Sequence, residues 1–410
     1  MPDAAVALGE QIAYHRKRLG LSQVEFAARV GRSESWVSQI ERGVRSIDRM
    51  SVLQSVADAL SVSTAELNGE DMDAAGTPEG ERPEAVDTVR MSLTGHPALR
   101  VVISGTAPKL SGRELDRLRD RHAAIWPLVH GSVYSELAPI LASLIPELEA
   151  AARSQPEGEL TSQASELLAD TYQATAAMLA KVGETDAAWI AADRAAFTSE
   201  ATGSPLAVAA SMFRMAHVFL SLGQIAQAQE AAESSLGALA AYPGQERSRE
   251  ALSLTGAFHL VLAIAAARDN DRQAASSHLA AASAAAGQVG EGQNDYGTEF
   301  GPVNVALHAV SVAVELGDAG QALDLAREID TSGMSPERQA RYLIDLAAAH
   351  AMRRQIGESL ASLQQAEQLT PEQTRGHRVA RAVARDLIQL SGPRPRPELR
   401  ELADRFGLSA

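Results

Sequence analysis

The stretch that most narrows what this chain can fold into is residues 21–43, LSQVEFAARVGRSESWVSQIERG. Ser22 with Glu25 three residues on has the spacing of a capping box. There a side chain and a backbone N–H satisfy each other reciprocally, so a helix starts at this point. Its inward face reads Val24, Ala27, Ala28 and Val30, and Gly31 ends it because glycine accepts a positive φ. Ser33 can cap a second helix whose buried stripe is Val37, Ile40 and part of Trp36. Two short helices with small residues at their crossing and a glycine at the corner make a helix-turn-helix. An ordinary αα-hairpin with scattered arginines is the plainer alternative.

The pattern LSQxxFAxxxGxSxxxVSxIExG, within residues 6–68, resembles the Cro/repressor (XRE) family of helix-turn-helix regulators. The resemblance implies that the second motif helix lies in a major groove with its N-terminal residues at base edges. It puts Glu34, Ser35 and Gln39, joined by Ser38, at base-reading positions and Gln23 at a phosphate-contacting one. Arg16 and Glu41 match a structural ion pair tying the first helix to the recognition helix. The chemistry agrees in part. Glutamine can contact adenine in a bidentate manner, whereas Glu34 only accepts and so favours the cytosine N4 donor. Arg29, Arg32, Arg42, Arg45 and Arg49 can supply phosphate contacts around the motif, and Ser33 at the helix start is counted with the DNA-facing residues. Residues 10–49 hold eight basic and five acidic side chains, and residues 1–68 hold eight of each. So even a balance predicts moderate affinity that depends on a dimer.

The whole chain is 410 residues with a formal net charge of −15. That charge excludes a continuous nucleic-acid-coating surface and leaves only a local region to meet DNA. There is no cysteine, so neither disulfides nor Cys-ligated zinc are available. The N-terminus lacks a basic start followed by an apolar run, and no apolar run reads as a membrane span free of polar residues. A cytoplasmic protein without a membrane partner is expected. Aromatic residues are only 4% and alanine is abundant, which suits close helix–helix packing in a nearly all-α chain.

After the motif, residues 51–60 read as a helix with Leu53, Val56, Ala57 and Leu60 on one face. Ser63 with Glu66 caps a last short helix, completing a five-helix domain over residues 1–68. Residues 69–92 hold seven acidic and two basic residues with two prolines and three glycines, the composition of a flexible acidic tether. The β-branched run at 99–105 reads as an extended crossover, so that residues 69–110 form linker and crossover together. From Ser111, paired with Glu114, the pattern is helical. Pro139 and Pro146 fall inside one apolar helix and predict a kink or a split.

Residues 111–410 carry an internal repeat. A glycine or polar breaker recurs at Gly183, Gly223, Asn270, Gly317 and Arg354, and five positions later stands a small residue: Ala188, Ala228, Ala275, Ala322 or Ser359. The small residue permits a close crossing of two helices within each repeat. Pro205, Pro336 and Pro371, each behind Ser or Thr, read as first-turn prolines. The periods exceed that of a standard tetratricopeptide (TPR) unit, predicting a TPR-like solenoid with lengthened helices. Segments such as LGDAGQALDLAREI look like second halves of TPR units. With the N-terminal motif they resemble actinobacterial regulators that join an XRE domain to a TPR-like body. The layout is similar to that of the peptide-sensing Rgg and PlcR type.

The odd stretch in this body is residues 287–305, a glycine-rich connection followed by Asn304. In peptide-sensing relatives, inward asparagines hold a peptide backbone, since an amide donates and accepts together. On that resemblance Asn304 is the leading effector-binding candidate, with Asn294, Tyr296, Phe300, Arg214 and Tyr172 as neighbours. The bland reading is that Asn304 stabilises its own helix. Trp189, Asp193 and Arg194 read as inter-repeat packing around the tryptophan, and His217, His259, His308 and His350 as packed or surface residues. The arginines of 375–385 with Arg394 and Arg396 read as a solvated capping face. HExxH, GxSxG and the P-loop signature are absent, so neither an enzyme nor a metal site nor a cofactor is expected. The sequence therefore predicts an all-α regulator. Its homodimer reads an inverted-repeat operator in double-stranded DNA, with half-sites ~34 Å apart, and its body senses a peptide or small-molecule effector. A TPR scaffold with a minor DNA anchor is the alternative.

Overall fold

A computed structural model describes residues 2–44, 47, 50–60, 62, 84–94, 103, 110–154, 158–243, 248–391 and 396–408. Among the described residues every regular element is a helix. The head comprises α1 (Pro2–Arg18), α2 (Gln23–Arg29), α3 (Glu34–Glu41) and α4 (Met50–Leu60). Their core is Ile12, Leu19, Leu21, Phe26, Ala27, Val37, Ile40, Leu53, Val56, Ala57 and Leu60. The capped helix expected at Ser63 lies outside the described residues.

The face of α2 differs from expectation. Phe26 and Ala27 are buried, whereas Val24 is 57% exposed and Ala28 is exposed too. A seven-residue helix turns positions i, i+3 and i+4 inward, here half-buried Gln23 with buried Phe26 and Ala27, which turns Val24 and Ala28 outward. Ala27 is buried in the head core as expected, and a further close approach, between α1 and α3, comes from Gly9. A Cβ there would sit 2.2 Å from the Ile40 carbonyl oxygen, so α1 and α3 touch backbone to backbone.

The acidic tether is shorter than its composition suggests. Residues 84–94 form α5 (Glu84–Thr94), with Val86, Val89 and Leu93 buried in the first body cluster and Arg90 paired to Glu184. Spacing at i, i+3 and i+7 makes an apolar helical stripe that outweighs the charge of its other face. The run at 99–105 is outside the described residues, apart from Ile103, which is exposed.

The body continues with α6 (Gly112–His122), α7 (Ile125–Gly131) and α8 (Tyr134–Ala152), and Ser111 caps α6 as expected. Pro139 and Pro146 both lie inside the single helix α8, which is not split. Five helix pairs follow: α9 (Glu159–Lys181) with α10 (Thr185–Thr202), α11 (Pro205–Ser221) with α12 (Ile225–Ala240), α13 (Arg249–Arg268) with α14 (Arg272–Val289), α15 (Pro302–Glu315) with α16 (Ala319–Ala326), and α17 (Pro336–Met352) with α18 (Ile356–Leu369). Three helices close the chain: α19 (Pro371–Gly376), α20 (Arg378–Ser391) and α21 (Pro397–Arg405). Each first helix packs on its partner and on the first helix of the next pair, which is how a solenoid propagates.

The repeat register is as the sequence reads it. Gly183, Gly223, Asn270, Gly317 and Arg354 all have positive φ, between 58° and 85°, at the turn inside their pairs. Ala188, Ala228, Ala275, Ala322 and Ser359 are all 0% exposed at the crossings that follow. Ser204 and Ser335 cap α11 and α17 behind first-turn prolines, but Thr370 makes no cap bond, because its hydroxyl turns back to Ala366 O. The helix Arg249–Arg268 is long and apolar enough to cross a membrane, but Ser253, Thr255 and His259 interrupt it and 72% of its apolar window is buried inside the protein.

Candidate nucleic-acid interface and the inner loop

The head is held in shape by directional bonds. Ser22 and Glu25 form the reciprocal capping box, with Ser22 N donating to Glu25 Oε2 at 2.8 Å and Glu25 N to Ser22 Oγ at 3.2 Å. The Ser22 N–H and the Ser22 hydroxyl, which also donates to Glu25 Oε2 at 2.9 Å, hold the Glu25 carboxyl below its ordinary range. Gly31, at φ 63°, completes a Schellman turn in which Arg32 N donates to Ala27 O at 2.9 Å and Gly31 N to Ala28 O at 3.3 Å. Ser33 Oγ then accepts from Trp36 N at 3.2 Å, starting α3. Behind α3, Arg16 donates through Nε and Nη2 to the two oxygens of Glu41 at 2.5 and 2.9 Å, and through Nη1 to Leu21 O at 2.6 Å. Gln23 Nε2 adds a bond to Glu41 Oε2 at 2.8 Å.

These bonds fix how α3 is presented. Glu34, Ser35 and Arg42 are exposed along it, Ser38 and Gln39 are half-buried, and the four non-arginine groups share its outward side. Arg42 donates to Ser38 O at 3.0 Å, and the Arg32 guanidinium lies 5.6 Å from the centre of the Trp36 ring. Ser33 is engaged as the cap, and Gln23 is tied to Glu41. Arg45 and Arg49 lie outside the described residues.

The residues singled out for an effector are partly brought together, around a loop at 290–301 that crosses the inside of the body. Arg214 donates to the carbonyls of Tyr296 and Gly297 at 2.7 and 3.1 Å, and its guanidinium lies 4.7 Å from the centre of the Trp126 ring. Burial lowers its pKa to about 10. Asn294 bridges His130 and the Glu299 backbone, and Asn304 Nδ2 donates to Thr298 O at 3.4 Å. Asn304 Oδ1 and Arg214 Nε are buried without a hydrogen-bond partner. Phe300 is a core residue rather than a lining one: its ring lies where a Cβ on Gly256 would be. Tyr172 is elsewhere, bonded to Glu149 and stacked under Arg194, so it does not join the group.

Sequence reasoning missed Glu299, the anchor of this loop. Its carboxylate faces His130 at 3.2 Å, accepts from the Ser335 hydroxyl at 2.8 Å and lies 3.6 Å from Arg338. Burial pushes its pKa up, but those donors and the Arg338 charge outweigh burial and hold it at about 2. A lone glutamate in a glycine-rich loop carries no signal of such partners. Trp189 also departs from expectation. It is 51% exposed, since α10 packs through its alanines, while Arg194 turns inward to Glu149 at 3.1 Å. The arginines near the C-terminus are partly self-contained, with Arg375 and Arg405 both on Glu367 and Arg381 on Phe406 O. His259 and His278 meet Nδ1 to Nδ1 at 3.1 Å across α13 and α14, a pairing no i, i+4 search could find. Among the described residues no three His, Asp or Glu side chains gather as a metal group.

Residues 7–68 match the helix-turn-helix domain family, so the unit built on the Arg16–Glu41 pair is a helix-turn-helix domain. No curated protein matches the chain. Among solved structures, Bacillus thuringiensis PlcR in complex with the peptide PapR7 and DNA aligns over 92% of this chain and 99% of that one. The identity is 13% and the TM-score 0.24, a likeness that transfers no residue role.

Proposed function

We propose that this chain is a DNA-binding transcription regulator, with α3 as its reading helix. The observation that carries the reading is the presentation of Glu34, Ser35, Ser38 and Gln39 on one outward side, locked from behind by Arg16, Glu41 and Gln23. A groove-reading helix needs polar side chains with free edges on a rigid support. Arg32, Arg42 and Arg45 serve as positioning contacts to phosphate, and Gln23 and Ser33 stand at the backbone. Residues 1–68 act as the reading unit and residues 111–410, together with α5, as the body. The body dimerises two heads over an inverted repeat, which doubles the phosphate contacts of a head that is nearly neutral. It also responds to a peptide or small-molecule effector near Arg214 and Asn304, where two buried polar atoms lack partners.

Selection of bound sequences from a random DNA pool, at stated salt, tests the first part. A preferred inverted repeat is expected, and a pool that never enriches would overturn the reading. On the selected site, Gln39→Ala should cost ~1–3 kcal/mol and relax one base position, while Arg42→Ala should weaken all sequences alike. A scaffold reading is favoured by one observation. Trp189, Ile190 and Phe197 on α10 are 51%, 39% and 76% exposed, enough apolar surface to dock a protein. Stoichiometric capture of a protein partner with no DNA preference would select it.

A further inference from the structure

The five turns inside the helix pairs are built alike, and one of them breaks the pattern. Each needs a residue in the left-handed region, and four supply glycine or asparagine: Gly183, Gly223, Asn270 and Gly317. Those residues suit that backbone, glycine because it has no Cβ and asparagine because its short side chain can bond locally. The fifth turn has Arg354 at φ 58°. Nothing in the turn itself calls for arginine, since the same geometry is met four times without it. A side chain kept where its backbone is disfavoured points to work done by the side chain.

Charge marks the same turn. Acidic residues flank the left-handed position in three of the others: Glu184 after Gly183, Asp269 and Asp271 about Asn270, and Asp318 after Gly317. The fifth turn instead reads Arg353–Arg354–Gln355, and both arginines are exposed. In a chain of net charge −15, this basic turn lies where the body meets the head. The Met352 carbonyl oxygen would lie 2.4 Å from a Cβ on Gly20, so the two backbones abut. Arg354 reaches Glu25 at 3.3 Å with 41% of its side chain exposed, and in the preceding pair's turn the stem of Lys17 lies along Gly317.

Glu25 stands in α2, two residues from Gln23, and in a helix-turn-helix the helix before the recognition helix crosses the phosphate backbone. We infer that Arg354 is a phosphate contact supplied by the body to the DNA interface, resting on the DNA-binding reading above. The partner is the backbone of the duplex flanking the base-read positions. Glu25 holds the guanidinium in place in free protein and yields it to phosphate when DNA binds. Affinity for DNA thereby depends on the head being docked on the body, although no base is read by this group.

The test uses the full chain and its selected duplex, with affinity measured across a salt series. Arg354→Gly places in this turn the residue that three sister turns use, so folding is retained and thermal unfolding checks it. The expected result is a slope of log K against log salt shallower by about 0.9, the value of one lost phosphate contact, with base preference unchanged. An unchanged slope would overturn the inference. Glu25→Gln, which keeps the capping box, separates a contact from a mere latch. A contact predicts equal or tighter binding, because the guanidinium is released. A latch predicts the same loss as Arg354→Gly, and that result also overturns the inference. If the unaltered chain shows no salt-dependent binding at all, the DNA-binding reading itself falls. If that binding persists and responds to Arg42→Ala but not to Arg354→Gly, only the present inference does.

Discussion

The head and the body solve the same packing problem with different materials. In the head cluster two of eleven buried apolar residues are alanine, and Ile, Leu, Phe and Val fill the rest. In the middle cluster of the body twelve of twenty-four are alanine. The head is a small unit whose shape depends on large side chains and a few directional bonds, chiefly Arg16, Gln23 and Glu41. The body takes its shape from how closely backbones approach at Ala188, Ala228, Ala275 and Ala322. The head should therefore be most sensitive to losing a polar partner, and the body to gaining volume.

The largest effect should come from the head's buried pair. Glu41→Ala leaves the Arg16 guanidinium, only 11% exposed, without its carboxylate and also strips Gln23 of its acceptor. Removing one member of such a pair costs about 3–5 kcal/mol. Denaturant unfolding followed at Trp36 should show the head melting well before the body. Coincident transitions with near-unaltered stability would break the contrast.

Acid should then separate the two regions. His308 is held to about 4, first by burial and then by the Arg338 charge, and burial likewise pushes His217 well below its ordinary value. The folded body keeps these rings neutral. Above about pH 6.5 the unfolded chain is neutral too, and their contribution to stability is complete. As pH falls from 6.5 towards 4 the unfolded chain takes up protons that the folded chain refuses, and stability declines. The head's one described inward histidine, His15, is held to about 3 by burial and by Arg18 and Arg378, so it acts at the seam with the body. Body stability measured at pH 7, 6 and 5 should fall, and His308→Phe should flatten the fall. A flat profile in the unaltered chain would contradict this account.

Volume is the complementary probe. Ala228→Leu inserts three carbons into a crossing with no exposed surface and should cost ~1–3 kcal/mol. Ala28→Leu in the head adds the same atoms at an exposed position and should stay within about 0.5 kcal/mol. Equal losses at the two sites would mean that the helices of the head are also limited by backbone approach beyond Gly9.

This contrast explains how far the sequence could be read. Caps and turns are local chemistry, so Ser22, Ser33, Gly31 and the five left-handed turn residues were legible residue by residue. The repeat was legible because a small residue must follow each turn at a fixed distance. The orientation of α2 was not, since a seven-residue helix offers too few positions to choose between Val24 and Phe26 as the inward residue. Nor was α5, where an apolar stripe of three residues was hidden under seven acidic neighbours. For the candidate effector group, the stretch was visible in its glycines but its use was not. Glu299 meets His130 and Arg338 from far along the chain, and those partnerships exist only once the solenoid has closed around the loop.

The smallest effect compares two serine caps that look alike in sequence. Ser33 accepts only from Trp36 N, so Ser33→Ala should cost ~1 kcal/mol and Ser33→Asp should restore it. Ser335 accepts from Arg338 N in the same way, but its hydroxyl also donates to Glu299 at 2.8 Å. An aspartate there keeps the cap yet places a second carboxylate against the half-buried Glu299, which cannot donate in return. Ser335→Asp should therefore be no better than Ser335→Ala, whereas the head variant recovers. Thermal unfolding of the four variants decides the matter. Rescue by aspartate at both positions would mean that the Ser335 hydroxyl adds nothing, and that the inner loop is held by His130, Arg338 and the Ser335 backbone N–H, which donates to Glu299 at 3.2 Å.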